Sequence, residues 1–111
     1  MDCLFCKIVE GTIPGDVVYE NEHVLAFRDV NPQAPVHVLF VPKTHVSRFS
    51  QLIDPIIQAA LFEAVAEYAQ TEGLEEDGYR IVINTGQLGQ QTVDHLHLHF
   101  LTGRQLQWPP G

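Results

Sequence analysis

Histidine alternates with apolar side chains from His95 to Leu101, in the order His95-Leu96-His97-Leu98-His99-Phe100-Leu101. A period of two predicts a strand with three imidazoles on one face and Leu96, Leu98 and Phe100 turned to the core. Val36 to Val41 is a nearly continuous β-branched and apolar run between Pro35 and Pro42, as expected of a central strand. Val17 to Glu20 and Val24 to Phe27 read as two short strands joined around Asn21 and Glu22, and Tyr79 to Asn84 as a further strand. The period changes once. After Asp54-Pro55, an N-cap followed by a first-turn proline, Ile56, Ile57, Ala60, Leu61, Ala64, Val65 and Tyr68 keep helical spacing until Gly73. Cys3 to Val9 predicts one or two further helical turns, ended by Gly11 and Pro14. Five strands, one long and one short helix, and no alternating βαβ order predict an α+β fold with a five-stranded antiparallel sheet.

Composition narrows the possibilities. The 111 residues are 45% hydrophobic and 18% charged, ordinary values for one globular domain over 1–111 that includes a tail at 102–111. A net charge of −8 argues against a nucleic-acid polymer or an anionic membrane surface as partner, although local donors can still hold a small anion. No apolar run approaches the roughly 20 residues that span a bilayer, and the N-terminus lacks the basic-then-apolar order of a signal peptide. A cytoplasmic location is expected.

Histidine is the usual proton-transfer group near neutral pH and can act as a nucleophile. On a straight strand, residues two apart are separated by roughly 6.6 Å and the outer histidines by roughly 13 Å, so the three are expected to divide structural and chemical roles. The only two cysteines, Cys3 and Cys6, have Cys-x-x-Cys spacing, compatible with a redox pair, a zinc half-site or coincidence. No βαβ context supports a redox pair. Zinc is favoured, with His45 and His95 as candidates to complete four ligands. The loop Thr85 to Thr92, rich in glycine, amides and hydroxyls, runs directly into the histidines and suggests a phosphate cradle, with Asn84 and Thr92 adding side-chain donors. Asp29 is suited either to a ribose diol or to a solvated turn beside Asn31-Pro32.

The motif His95-Leu-His97-Leu-His99-Phe-Leu resembles that of the histidine triad superfamily, His-φ-His-φ-His-φ-φ. The resemblance extends through Phe5-Cys-Lys7-Ile8, Ile13-Pro14, Ala26-Phe27-Arg-Asp29, Pro32-Gln-Ala-Pro35, His37, Val41-Pro-Lys43 and Gly103-Arg-Gln105…Trp108-Pro-Pro-Gly111, and is to the nucleotide-binding branch. It implies a homodimer that joins two sheets, and a purine nucleoside phosphoramidase or nucleotidyl hydrolase acting through a covalent nucleotidyl-histidine. His97 matches the nucleophile. Asp29 and Val30 match the ribose and base pocket, with Phe5, Ile8 and Phe27 near the purine. Asn84, Gln90, Gln91, Thr92 and His99 match the α-phosphate environment, and His37 a histidine that supports the triad. Thr92 or a triad histidine would help protonate the leaving amine, and Trp108 lies on a tail expected near the partner's active site. Cys3, Cys6, His45 and His95 match a structural zinc site found in bacterial members. The implied chemistry requires no catalytic metal.

Two departures stand out. Gln90 and Thr92 occupy positions that are glycine and serine in many members, which predicts strain wherever Gln90 needs a positive φ. The rivals are a dinucleoside polyphosphate hydrolase, a nucleotidyltransferase, or a nucleotide-binding scaffold with incidental turnover. His99, where the transferases carry glutamine, and the terminal Trp-Pro-Pro-Gly, which the polyphosphate hydrolases lack, disfavour the first two.

Overall fold

A computed structural model describes residues 3–111. Five antiparallel strands, β1 (Val17–Glu20), β2 (Val24–Arg28), β3 (Val36–Pro42), β4 (Arg80–Val82) and β5 (Leu98–Thr102), form one sheet in the order β1-β2-β3-β5-β4. Two helices complete it, α1 (Leu4–Glu10) and α2 (Pro55–Thr71). The start of α2 and the end of α1 fall on the expected signals. The Asp54 side chain accepts from the Ile56 N–H at the start of α2, and Gly11 closes α1 in a left-handed conformation at φ +85°.

The alternation along the strands sorts side chains onto two faces. Val24 and Ala26 of β2, Val38 and Phe40 of β3, and Leu98 and Phe100 of β5 pack with Leu61, Ala64, Val65 and Tyr68 of α2. On the other face Leu25, Phe27, Leu39 and Val41 pack under α1 against Cys3 and Phe5. The functional residues lie on this second, thinner side.

Three sequence expectations change. Strand β4 is Arg80–Val82 rather than Tyr79–Asn84, framed by Gly78 at φ +84° and by the turn around Gly86 at φ +68°. Ile56 is 64% exposed, so the buried stripe of α2 starts at Ala60. Most importantly, β5 starts at Leu98, and His95 and His97 precede it. The register sets Phe40 opposite Leu98, so continuing it would set Leu96 against Pro42, which has no N–H to give. Leu96 donates to the Val46 carbonyl instead, at 2.7 Å. Of the three histidines only His99 lies within β5, yet the rings stay on one side of the sheet: Phe5 of α1 meets both His95 and His97, and His97 meets His99 at 4.9 Å. No helix among the described residues is long and apolar enough to cross a membrane.

Candidate functional site

Leaving the sheet lets the triad divide. His95, fully buried, turns toward the N-terminus. Its Nε2 lies 2.8 Å from the Pro42 carbonyl, an acceptor only, so Nε2 carries the hydrogen and Nδ1 presents its lone pair. Around that Nδ1 stand Cys3 Sγ at 3.3 Å, His45 Nδ1 at 3.2 Å and Cys6 Sγ at 3.6 Å, with Cys6 Sγ 3.4 Å from His45 Nδ1. A tetrahedral ion with bonds of about 2.0–2.1 Å to nitrogen and about 2.3 Å to sulfur sets its ligand atoms roughly 3.3 to 3.8 Å apart. The donor set fits such an ion, and the Pro42 carbonyl supplies the outer contact that orients a ligating imidazole. The Cys3 sulfur also accepts the Cys6 N–H at 3.2 Å, so the cap of α1 and the cluster are one structure. Burial, and then the neighbouring Cys3, push the Cys6 thiol up to about 11 in the metal-free protein.

His97, 5% exposed, lies on the same side next to His99, at the cleft rather than at the cysteines. Its Nδ1 lies 2.7 Å from the His95 carbonyl oxygen, so Nδ1–H donates there and Nε2 is the basic nitrogen. Phe5 meets the imidazole edge-on with ring centroids 5.1 Å apart and packs against Phe27 at 5.4 Å. His97 opens onto a cleft of about 710 Å³ between α1 and the sheet. Phe5, Ile8, Phe27 and Val30 form apolar parts of the wall, while Asp29, Thr92 and His99 bring polar groups. Eight residues expected to hold a nucleotide are thus together.

His99 and His37 extend the polar end. Their rings belong to neighbouring strands, with His37 Nε2 2.9 Å from His99 Nδ1 and Asp29 Oδ2 3.5 Å from the same Nε2. The Gln33 N–H donates to His37 Nδ1 at 2.9 Å. A backbone N–H cannot accept, so His37 carries its hydrogen on Nε2 and His99 on its own Nε2. Asp29, His37 and His99 are close enough to suggest a second metal site. The Gln33 N–H opposes it, because a metal on Nε2 of neutral His37 requires the hydrogen on Nδ1. This cluster is a hydrogen-bond relay. Burial, then His97 and His37, lower His99 to about 4, and burial lowers His37, so both are neutral donors near pH 7.

Asp29 combines the two roles considered for it. Its Oδ1 accepts the Asn31 N–H at 2.8 Å in a turn, yet the residue lines the cleft. Asn84, Gln90, Gln91 and Trp108 lie outside the lining. The Gln91 side chain braces the loop, accepting from the Gly86 N–H and donating to the Ser47 and Val93 carbonyls at 3.2, 2.7 and 3.0 Å. Gln90 has φ +60°, the one positive value among described non-glycine residues, as its place in a glycine position predicts. Trp108 is 80% exposed beside the Arg80 guanidinium, 5.9 Å from its ring centroid. Sequence reasoning missed Leu39, although the alternation His37-Leu39-Val41 marks it, and the Pro42 carbonyl and Gln33 N–H, which leave no trace in side-chain chemistry.

A model of the HIT domain matches residues 10–106. The chain belongs to this family. It is 50% identical over 113 residues to a 14 kDa zinc-binding protein of Zea mays, covering 97% of this chain and 87% of that one. It is 46% identical to the adenylylsulfatase HINT1 of Arabidopsis thaliana, covering 97% and 76% of the two chains. Among solved structures, a HIT family hydrolase of Legionella pneumophila is similar with a TM-score of 0.94 and 48% identity, over 99% of this chain and all of that one.

Proposed function

We propose that this HIT domain is a purine nucleoside phosphoramidase, cleaving nucleoside 5′-phosphoramidates or acyl-nucleotides to a nucleoside monophosphate. The observation that carries the reading is the fixed tautomer of His97 at the floor of the cleft: Nδ1–H is committed to a carbonyl and Nε2 is left basic. Nε2 attacks the α-phosphorus, the bond to the leaving nitrogen breaks, and the nitrogen departs protonated. Thr92 and His99 are the nearby groups suited to supply that proton. The imidazolium formed on His97 keeps its hydrogen bond to the His95 carbonyl. His99 Nε2–H donates to the phosphoryl oxygens, aligned by His37. Water then adds to phosphorus, the bond to His97 breaks, and the monophosphate leaves. Phe5, Ile8, Phe27 and Val30 sandwich the purine, and Asp29 receives the ribose hydroxyls. The relatives named a hydrolase and an adenylylsulfatase support cleavage of a bond to an activated nucleotide.

Zinc is the ion that best suits two thiolates and two imidazoles, and the relative named for zinc binding supports it. With four protein ligands it leaves no open position, so its role is structural. Free thiols in such a site suit a reducing compartment such as the cytoplasm. A second copy of the chain is the natural cover for the apolar groove of about 670 Å³ where Phe49, Leu52, Phe62 and Ile83 meet, with Phe62 73% exposed.

The test is multiple turnover of adenosine 5′-phosphoramidate, with rapid quench and mass spectrometry for a nucleotidyl adduct on His97. Sedimentation gives the oligomeric state in the same preparation. Tight monophosphate binding without turnover would favour a scaffold instead.

A further inference from the structure

Strand β5 ends at Thr102, and Gly103, at φ +101°, turns the chain back across the loop between β2 and β3. The passage is close: a Cβ on Gly103 would lie 2.8 Å from Pro35 Cβ. The next residue, Arg104, donates through Nε to the Gln33 carbonyl at 3.0 Å and through Nη1 to the Gln105 carbonyl at 3.4 Å. Gln33 is the same residue whose N–H meets His37 Nδ1 at 2.9 Å, and whose side-chain Nε2 donates to the Asn31 carbonyl at 3.1 Å. A continuous series of directed bonds therefore runs from the tail to the cleft: Arg104, the Gln33 backbone, His37, His99.

We infer that Arg104 is a positioning residue that, by clamping the Gln33 backbone against His37, fixes which nitrogens of His37 and His99 carry hydrogen. The inference rests on the phosphoramidase reading for its effect on rate, and on geometry alone for its effect on tautomers. A histidine tautomer is set by whatever its other nitrogen meets. With the Gln33 N–H at Nδ1, His37 has one neutral form, Nε2–H, which donates to His99 Nδ1 at 2.9 Å and forces His99 into Nε2–H. Releasing the clamp lets the loop draw back, because Pro32 and Pro35 offer no N–H as substitute donors. His37 can then hold its hydrogen on Nδ1 and turn a lone pair toward His99, in competition with Asp29 Oδ2, 3.5 Å from Nε2 and the one remaining group that favours a hydrogen there. His99 answers by moving its hydrogen to Nδ1, which leaves a bare Nε2. A lone pair in that place repels phosphoryl oxygens instead of donating to them. Ground-state binding, carried by the apolar walls and Asp29, changes little.

Imidazole nitrogen NMR of the substrate-free protein at neutral pH reads the tautomers directly. Wild-type protein is expected to show Nε2–H on both His37 and His99. In Arg104→Ala an Nδ1–H population of His37 appears, and kcat on adenosine 5′-phosphoramidate falls about two- to tenfold, the range for one lost hydrogen bond, with KM nearly unchanged. Arg104→Lys, which retains a donor, recovers part of both. Gly103→Ala pushes on Pro35 without touching Arg104 and should shift the tautomers in the same direction. Unchanged tautomers in both Arg104→Ala and Gly103→Ala would overturn the inference, as would a fall in kcat with the tautomers intact. If wild-type protein turns over no phosphoramidate, the functional reading fails separately and the spectra alone decide the clamp.

Discussion

His97 Nδ1 and the carbonyl oxygen of His95 are 2.7 Å apart. One short stretch of backbone thus joins a residue of the Cys/His cluster to the imidazole at the floor of the cleft. The side chain of His95 faces the cysteines while its carbonyl sets the hydrogen of His97.

Replacing His97 by alanine separates these roles. Turnover of adenosine 5′-phosphoramidate should fall by several orders of magnitude, as when the attacking group of a covalent enzyme is removed. Adenosine monophosphate should still bind within a few-fold, and metal content should be unchanged because His97 contributes no ligand atom. Calorimetry and elemental analysis check both. Near-normal turnover would rule out His97 as the nucleophile.

Metal uptake should release protons. Cys6, at about 11 in the metal-free protein, is a thiol at neutral pH and must ionise to bind, so at least one proton per chain leaves. Adding zinc to chelator-treated protein in weak buffer with a pH indicator measures it. Affinity should rise with pH, and Cys6→Ser should reduce the number of protons released per metal bound.

Stability should weaken in mild acid. His99 is lowered from the ordinary 6.5 to about 4 and His37 is lowered too, so the unfolded chain binds more protons than the folded one between those values. Their contribution is complete above pH 6.5 and is lost as pH falls toward 4. Melting temperatures across this window should decline more steeply for wild-type protein than for His99→Gln. Equal slopes would show that His99 does not change protonation on unfolding in this window.

Gln90→Gly should stabilise the loop. At φ +60° a side chain costs on the order of 1 kcal/mol, partly offset by the greater freedom glycine brings to the unfolded chain. The expected gain is a few degrees in Tm. Gly89→Ala is the opposing control, since its Cβ would lie 2.6 Å from the Thr85 carbonyl oxygen. A lower Tm for Gln90→Gly would mean that the Gln90 side chain holds the loop.

Patterns carried by side chains were legible in advance. The continuous apolar run of β3, the alternation along β5, the cap at Asp54 and the spacing Cys3-x-x-Cys6 each encode local physics, and each appears in the fold. The placement of His95 was not encoded locally. Its departure from the sheet depends on Pro42, 53 positions away, having no N–H, and on its carbonyl accepting from His95. Gln33 and Arg104 were equally silent, because their contributions here pass through the Gln33 backbone. Gln91 illustrates the converse. Its amide suggested a ligand contact and instead holds the Ser47 and Val93 carbonyls.

Cys3 and His95 meet at 3.3 Å although 92 positions separate them. An ion bridging the two would cross-link nearly the whole polypeptide, as a long-loop disulfide does. By the chain-entropy estimate, closing such a loop removes disorder from the unfolded ensemble worth roughly 4 to 5 kcal/mol. Unlike a disulfide, the link needs no oxidant and can be undone by a chelator. During synthesis it can form only after His95 has emerged, so the first turn of helix waits, unfastened, for nearly the last strand.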